Sequence, residues 1–205
     1  MKKVFSILTI ALITIGLNAQ KITLKDGDPK SLKSVKKWSV TFDYEGMVFD
    51  KKGSESEWLV TTQKEKNEKE AGSGDAFVDD WNDAKEELYP MSFATGFTKA
   101  LQKKFGVSAK PGTSGATITV KTTWAFTGYR MPAGSIKPAK ITSTVTFKNE
   151  NGEVLAVFEL DKAQGVPPGA SAYNGVGYKT SERMSASYNT SGLALGKYMK
   201  KMTFK

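Results

Sequence analysis

A short turn sequence between two alternating segments constrains the fold of this chain more than any other feature. Residues 149–152 read Asn-Glu-Asn-Gly, and the final Asn-Gly pair favours the positive φ angles of a β-hairpin. Apolar or small residues alternate with polar ones in Ile141–Phe147, and a second strand-like segment, Val154–Leu160, follows the turn. The sequence therefore predicts two antiparallel strands joined at this turn.

Other segments with a period of two extend the predicted sheet. Thr117–Phe126 is the clearest strand, and Trp38–Tyr44 alternates in the same way before a β-bulge that we expect at Gly46. Trp58–Thr62 is interpreted as the returning strand of a second hairpin. The residues of the clearest strand that we expect to share one face are Ile118, Val120, Thr122, Trp124 and Phe126.

Two segments have the apolar spacing of helices. The first begins at Asp75, a candidate N-cap, and ends at Gly106, with Pro90 expected to end or kink it. The second runs from Thr180 to Met199. The order β-β-α-β-β-β-α predicts a single α+β domain over residues 37–205, with a largely antiparallel sheet and helices packed on one face.

The first residues have the pattern of an export signal. Two lysines precede an uncharged apolar stretch, Val4–Leu17, and the small residue Ala19 follows. The apolar stretch is shorter than the about 20 residues that a membrane-spanning helix needs. We therefore predict cleavage after Ala19, removal of residues 1–19, a polar leader at 20–36 and a periplasmic or secreted product without a transmembrane segment. An uncleaved anchor is the alternative.

Two missing residue types narrow the chemistry. The chain has no cysteine, so it is predicted to carry neither a disulfide nor the lipid of a bacterial lipoprotein. It has no histidine, which removes the commonest general base and the triads that use imidazole. Zinc sites of the usual Cys/His type are excluded as well. We expect no cofactor and favour a non-catalytic role, although carboxylates, lysines, tyrosines and hydroxyls remain for catalysis.

The positive net charge of the chain favours lipid headgroups or acidic polysaccharide over nucleic acid as partners. The formal net charge is +9, and nearly all of the basic residues are lysines, since only Arg130 and Arg183 are arginines. Recognition of phosphates and base edges prefers the planar fork of arginine, so we expect no nucleic-acid partner. A loose attraction to lipid headgroups or acidic polysaccharide fits an exported basic protein better.

Two loops carry polar and aromatic residues that core packing does not explain. One loop spans residues 129–140 and the other spans 163–178, and both contain glycine and proline. Loops carry binding residues more often than the elements that they connect. The candidate binding residues are Tyr129, Arg130, Tyr173, Asn174 and Tyr178.

Acidic residues offer two weaker hypotheses. Asp79, Asp80 and Asp83 place three carboxylates within five residues, which suits calcium, although the order is not that of an EF-hand and helix N-terminal charge also explains them. Glycoside hydrolysis needs only two acids, so it requires no histidine. Its candidates are Glu86 or Glu87 with Glu159 or Asp161, and no spacing in the sequence brings such a pair together.

Two parts of the chain resemble known classes of envelope protein. The leader that ends Leu17-Asn18-Ala19-Gln20 resembles those of small exported proteins of Bacteroidetes-type bacteria. The segment Ala116–Leu160, followed by a last helix that contains Gly192, is similar to the periplasmic α+β domains of the TolB amino-terminal and CsgG-like class. The resemblance implies an envelope-associated role and assigns no functional residue.

These observations predict a non-catalytic exported binding or envelope-associated protein. It would act through surface loops 63–75, 129–140 and 163–178 on an envelope protein or an anionic surface component. The alternative is a small carbohydrate-binding or carbohydrate-active protein, for which exposed tyrosines would form a sugar-stacking surface.

Overall fold

The structure, a computed structural model, describes residues 20–130, 136–165 and 179–204. Within these ranges the chain forms four α-helices and an open, mostly antiparallel sheet of eight strands. The predicted α+β class is confirmed. The predicted signal peptide at residues 1–19 lies outside the described residues.

The elements have the following bounds. The strands are β1 (Lys21–Gly27), β2 (Lys37–Asp43), β3 (Val48–Phe49), β4 (Gly53–Ser54), β5 (Ser108–Pro111), β6 (Thr117–Phe126), β7 (Tyr129–Arg130), β8 (Ile136–Lys137), β9 (Lys140–Lys148) and β10 (Val154–Gln164). The helices are α1 (Glu55–Lys69), α2 (Ser73–Asp83), α3 (Tyr89–Phe105) and α4 (Thr180–Met202). A 3-10 turn covers Pro29–Ser34 and a π-turn covers Ala84–Leu88. The short strands β7 and β8 form a separate two-stranded sheet.

The long strands of the main sheet follow the order β1-β10-β9-β6-β2-β5, and the short pair β3 and β4 attaches beside β6. The neighbouring strands β1, β10, β9 and β6 pair antiparallel, whereas β2 runs parallel to both of its neighbours, β6 and β5. The predicted hairpin between β9 and β10 is confirmed. Its turn is closed by the Oδ1 of Asn149, which accepts hydrogen bonds from the backbone N–H groups of Asn151 and Glu153, both at 3.0 Å.

Helices α3 and α4 pack against one face of the sheet and enclose the core. Alternate residues of the central strands point toward them, and Val120 of β6 and Phe147 of β9 are fully buried. The two helices approach each other so closely that a Cβ on Gly192 would clash with the backbone oxygen of Phe93. Only a residue without a side chain fits at this contact.

The predicted strand at Trp58–Thr62 is wrong, because these residues belong to α1. A capping box starts the helix: Ser54 Oγ accepts from the N–H of Glu57 at 3.3 Å, and Glu57 Oε2 accepts from the N–H of Ser54 at 2.8 Å. Trp58 is the buried residue of this helix, and its ring stacks on Phe49 at 4.2 Å. Local capping therefore outweighs the strand-favouring Trp-Leu-Val composition.

Three further segments differ from the sequence-based expectations. Most of the predicted loop 63–75 is helical, because α1 continues through it and α2 begins before it ends. Part of the predicted leader 20–36 is strand β1, which forms one edge of the sheet beside β10. A short strand that the sequence does not predict, β5, forms the opposite edge, where Pro111 needs no N–H partner on the outer side.

Pro90 does not end the helical region, which runs without a break from α2 to α3, although the sequence predicts an end or a kink there. The π-turn Ala84–Leu88 joins α2 to α3, and Pro90 stands in the first turn of α3, where its missing N–H is tolerated. The predicted helix end at Gly106 is confirmed, since this residue has φ 66° and its N–H bonds to the carbonyl of Gln102. The last helix runs three residues past Met199.

Candidate functional site

The sheet face opposite α3 and α4 is partly exposed and mostly polar. Side chains alternate along a strand, so the neighbours of the buried core residues point to this side. We call it the open face. All of its members are partly exposed: Thr23, Thr41, Asp43, Thr117, Thr119, Lys121, Trp124, Phe126, Lys140, Thr142, Thr144, Thr146, Lys148, Val157, Glu159 and Asp161.

Threonines form a row across the middle of the open face. Thr41 of β2 pairs with Thr119 of β6, which in turn pairs with Thr146 of β9. The hydroxyls of Thr41 and Thr119 lie 3.1 Å apart. Within the described residues, no side-chain hydrogen bond occupies the hydroxyls of Thr144 and Thr146. The row therefore offers regularly spaced hydroxyls to a ligand lying across the strands.

The three acids of the open face already have hydrogen-bond or ion-pair partners. Lys121 Nζ lies 2.9 Å from Asp43 Oδ2, and this hydrogen bond lowers the pKa of Asp43. Lys25 Nζ lies 2.9 Å from Glu159 Oε2. Asp161 accepts a hydrogen bond from the hydroxyl of Thr142 at 3.2 Å. Lysines therefore compensate two of the three acids, whereas Asp161 keeps its negative charge.

Several lysines at the open face and its rim have no such compensation. In the described part of the chain, no ion pair involves Lys137, Lys140, Lys148 or Lys162. Lys140 and Lys148 stand at the two ends of β9, and Lys148 is paired in register with Thr117. Lys140 and Lys148 outnumber the one uncompensated acid, Asp161, so the net free charge on the open face is positive, and the two lysines stand at opposite ends of one strand.

A bulge in β6 brings aromatic rings to the open face. Thr122 pairs with Ser143 and Trp124 with Thr142, so one extra residue lies between two consecutive pairs. As a result, Thr122 is buried in the core while Trp124 and Phe126 are partly exposed on the other side. The expectation that both residues share one face with Ile118 is therefore wrong.

Beside the bulge, three aromatic residues and two lysines form a group that we call the aromatic–lysine corner: Trp124, Phe126, Tyr129, Lys137 and Lys162. The rings of Phe126 and Tyr129 meet edge to face at 6.2 Å. Lys137 Nζ lies 5.5 Å from the first ring centroid and 5.4 Å from the second. Lys162 Nζ lies 5.9 Å from the ring of Trp124.

Tyr129 is the residue of this corner that the sequence singled out. Its side chain is 46% exposed, and its backbone pairs with Lys137 across β7 and β8. Arg130 pairs with Ile136 in the same short sheet. Tyr173, Asn174 and Tyr178 lie outside the described residues. The sequence places Trp124 and Phe126 on the core face and does not single out Lys137 or Lys162, because the register of β6 against β9 and the pairing of β7 with β8 bring these residues together.

The calcium candidates do not come together. Asp79 and Asp83 are exposed, whereas Asp80 accepts hydrogen bonds from Ser181 Oγ at 2.6 Å and Lys179 Nζ at 2.9 Å. Burial works to raise the pKa of Asp80, but these two donors outweigh it and leave the pKa lowered. Among the described residues, no group of three or more Asp or Glu side chains is arranged to hold a metal ion.

The acids proposed for glycoside hydrolysis are also separated. Glu86 lies in the π-turn and lines a groove of about 380 Å³ on the helix side of the sheet. Glu159 points to the opposite, open face, where Lys25 occupies it. A two-acid mechanism needs carboxylates that flank one bond, and these two do not.

The groove beside Glu86 is held together by internal contacts. The hydroxyl of Tyr44 donates to the backbone oxygen of Lys85 at 3.1 Å, and burial raises the pKa of that hydroxyl far above its ordinary value. Glu55 Oε1 accepts from Lys85 Nζ at 2.7 Å and from Trp81 Nε1 at 2.6 Å. The polar groups next to the groove are therefore engaged with one another, which suits a structural role.

No protein-family model matches this chain, and neither a curated protein nor a solved structure shows significant similarity to it. In the part of the chain that the structure describes, no helix is both long and apolar enough to cross a membrane.

Proposed function

We propose that this protein is a non-catalytic, exported binding protein that holds an anionic polymer of the cell envelope on its open face. One observation carries the proposal: two of the three acids on this face, Asp43 and Glu159, are paired with lysines, whereas Lys140 and Lys148 have no ion pair among the described residues and outnumber the remaining acid. A polyanion that meets this surface gains attraction without having to displace an existing ion pair.

The shape of the surface favours a polymer. Small-molecule sites are concave and mostly apolar, whereas the open face is a sheet surface with threonine hydroxyls. Its strands β1, β10, β9, β6 and β2 together measure roughly 20 Å across at the usual strand spacing. A polymer that runs along β9 meets Lys148, the threonine hydroxyls and Lys140 in succession, and one that crosses the strands meets the threonine row.

The location of the protein follows from the predicted signal sequence and remains part of the proposal. Export would place the basic surface among acidic polysaccharides and lipid headgroups. The proposed binding surface differs from the one that the sequence predicts. Sequence reasoning placed binding in loops 63–75, 129–140 and 163–178, whereas the proposal places it on strands, with Tyr129 at the edge of the surface.

The test is an affinity measurement on the purified protein with an acidic polysaccharide and with anionic vesicles, at low and at moderate salt. We expect binding to the polysaccharide that weakens as salt rises, whereas binding to the vesicles alone would contradict a polymer ligand. The Lys140→Gln, Lys148→Gln double variant should bind about fivefold more weakly, because it removes two exposed charges from the open face.

The matched control removes two exposed lysines from helices, in the double variant Lys69→Gln, Lys103→Gln. It has the same net charge as the open-face variant, so a general charge effect would weaken both equally. Equal losses, or no binding to any anionic probe, would refute the proposal. A binding loss confined to the open-face variant supports it.

A further inference from the structure

We infer that the aromatic–lysine corner is a subsite for one acidic sugar residue, and that the polymer on the open face is therefore an acidic polysaccharide. This inference rests on the proposed function and goes further, because it names the chemical class of the ligand. A uronic acid fits the corner: its ring has an apolar face that lies on an aromatic side chain, and its carboxylate needs a cation close by.

The rings of the corner are positioned for stacking. Tyr129 is 46% exposed and stands edge to face with Phe126, so the second ring supports the first. Trp124 lies two residues before Phe126 on the same side of β6 and is partly exposed. Val48, which pairs with Trp124 from the neighbouring strand, is 44% exposed and extends the apolar surface.

The lysines of the corner are positioned by the same rings. Lys137 Nζ lies within 5.5 Å of the centroids of both Phe126 and Tyr129, so its charge is held against the rings and lies close to any sugar that stacks on Tyr129. No carboxylate in the described ranges pairs with Lys137 or Lys162. The cations are therefore available to an acidic group of the ligand.

The surroundings of the corner favour a polysaccharide over a lipid surface. A protein that anchors to a bilayer buries a large apolar face in it. Here Trp124 and Phe126 are only partly exposed, and their partners on β9 are Thr142 and Lys140, which are polar. Hydroxyl groups beside the rings suit the hydroxyls of a sugar chain that continues across the sheet.

The experiment uses polygalacturonate, its methyl ester and vesicles of phosphatidylglycerol as probes for the purified protein. The methyl ester keeps the sugar rings and loses the charge. We expect polygalacturonate to bind at least tenfold more tightly than either the methyl ester or the vesicles, because it alone offers a sugar ring and a carboxylate together. Tighter binding to the vesicles would overturn the inference in favour of a lipid surface.

Variants of Tyr129 and Lys137 test the two contacts separately. Tyr129→Ala should weaken polygalacturonate binding about tenfold, whereas Tyr129→Phe, which keeps the ring, should stay within about twofold. Lys137→Gln should weaken binding about threefold and should reduce its salt dependence. Val60→Ala, at another exposed apolar side chain on α1, is the control and should change nothing.

The possible failures are distinguishable. If polygalacturonate binds and the Lys140→Gln, Lys148→Gln variant weakens it, but Tyr129→Ala does not, the open face binds an anionic polymer and the corner is not a sugar subsite. If no anionic probe binds at all, the proposed function fails with it. Loss of binding in Tyr129→Phe equal to that in Tyr129→Ala would also overturn the stacking role.

Discussion

The two faces of the main sheet are built from the same strands but have opposite chemistry. Phe147 and Thr146 are adjacent on β9, yet the first is fully buried under the helices and the second lies on the open face. The helix face holds the core, and the open face has hydroxyls and lysines. The comparison teaches that stability and binding can be changed independently in this protein, because alternate residues serve each purpose.

The sharpest test of this separation is a pair of truncations on β9. Phe147→Ala should lower the free energy of unfolding by about 4 kcal/mol, because it removes a buried ring that contacts Trp38 at 5.1 Å. Thr146→Ala, one residue away, should change it by less than about 0.5 kcal/mol. Denaturant unfolding measures both, and equal losses would break the comparison.

The tyrosines of the helix face should make the protein sensitive to alkali. Burial raises the pKa of Tyr89 and that of Tyr188 above the ordinary tyrosine value of 10.0. Each folded-state pKa lies above the unfolded value, so this stability is complete below pH 10 and is lost as the pH rises further. At pH 11 the two groups together should lower the free energy of unfolding by about 3 kcal/mol.

Denaturant unfolding between pH 9 and pH 11 measures this loss. Tyr188 also shares a hydrogen bond of 2.9 Å with the buried hydroxyl of Thr122, so Tyr188→Phe should lower stability at neutral pH while making the alkaline fall shallower. A variant with the wild-type slope would contradict the assignment.

The close contact between α3 and α4 provides a stability test on the helix face. Gly192→Ala should lower the free energy of unfolding by about 2 kcal/mol, since its Cβ would meet the backbone oxygen of Phe93. Gly72→Ala is not a suitable control because that residue has a positive φ. Ser73→Ala would lose a hydrogen bond, so exposed Asn82→Ala on α2 serves instead and should be nearly neutral.

The smallest expected effect concerns the threonine row. The double variant Thr119→Val, Thr146→Val keeps the shape and the strand preference of both residues but removes two hydroxyls from the open face. We expect unchanged thermal unfolding and a roughly twofold loss of polysaccharide affinity. Calorimetry and a binding titration on the same sample give both values, and a large drop in the unfolding temperature would show that this face is structural.

Much of the fold could be predicted because its signals are local. The turn Asn149–Gly152 and the alternation of β6, β9 and β10 depend on neighbouring residues only. The strand predicted at Trp58–Thr62 is wrong, although the sequence holds a local signal for the helix that forms there. Ser54 and Glu57 have the spacing of a capping box, a local signal that the strand interpretation does not use.

The candidate site was less predictable because it depends on contacts between distant residues. The alternation of β6 is compatible with either orientation of Trp124 and Phe126, and only the pairing with β9 shows that one extra residue reverses it. Tyr129 could be singled out from its loop. Its neighbours Lys137 and Phe126 could not, since the return of the chain through β8 brings them together.

The most direct test of the central claim is nuclear magnetic resonance of the threonine methyl groups during a titration with polygalacturonate. Threonines lie on both sides of the sheet, so each face reports on itself. We expect the methyl signals of four threonines on the open face, Thr41, Thr119, Thr144 and Thr146, to change their chemical shifts. The signal of the buried Thr122 should stay unchanged. Shifts confined to threonines of the helices, such as Thr61 or Thr98, would contradict the central claim.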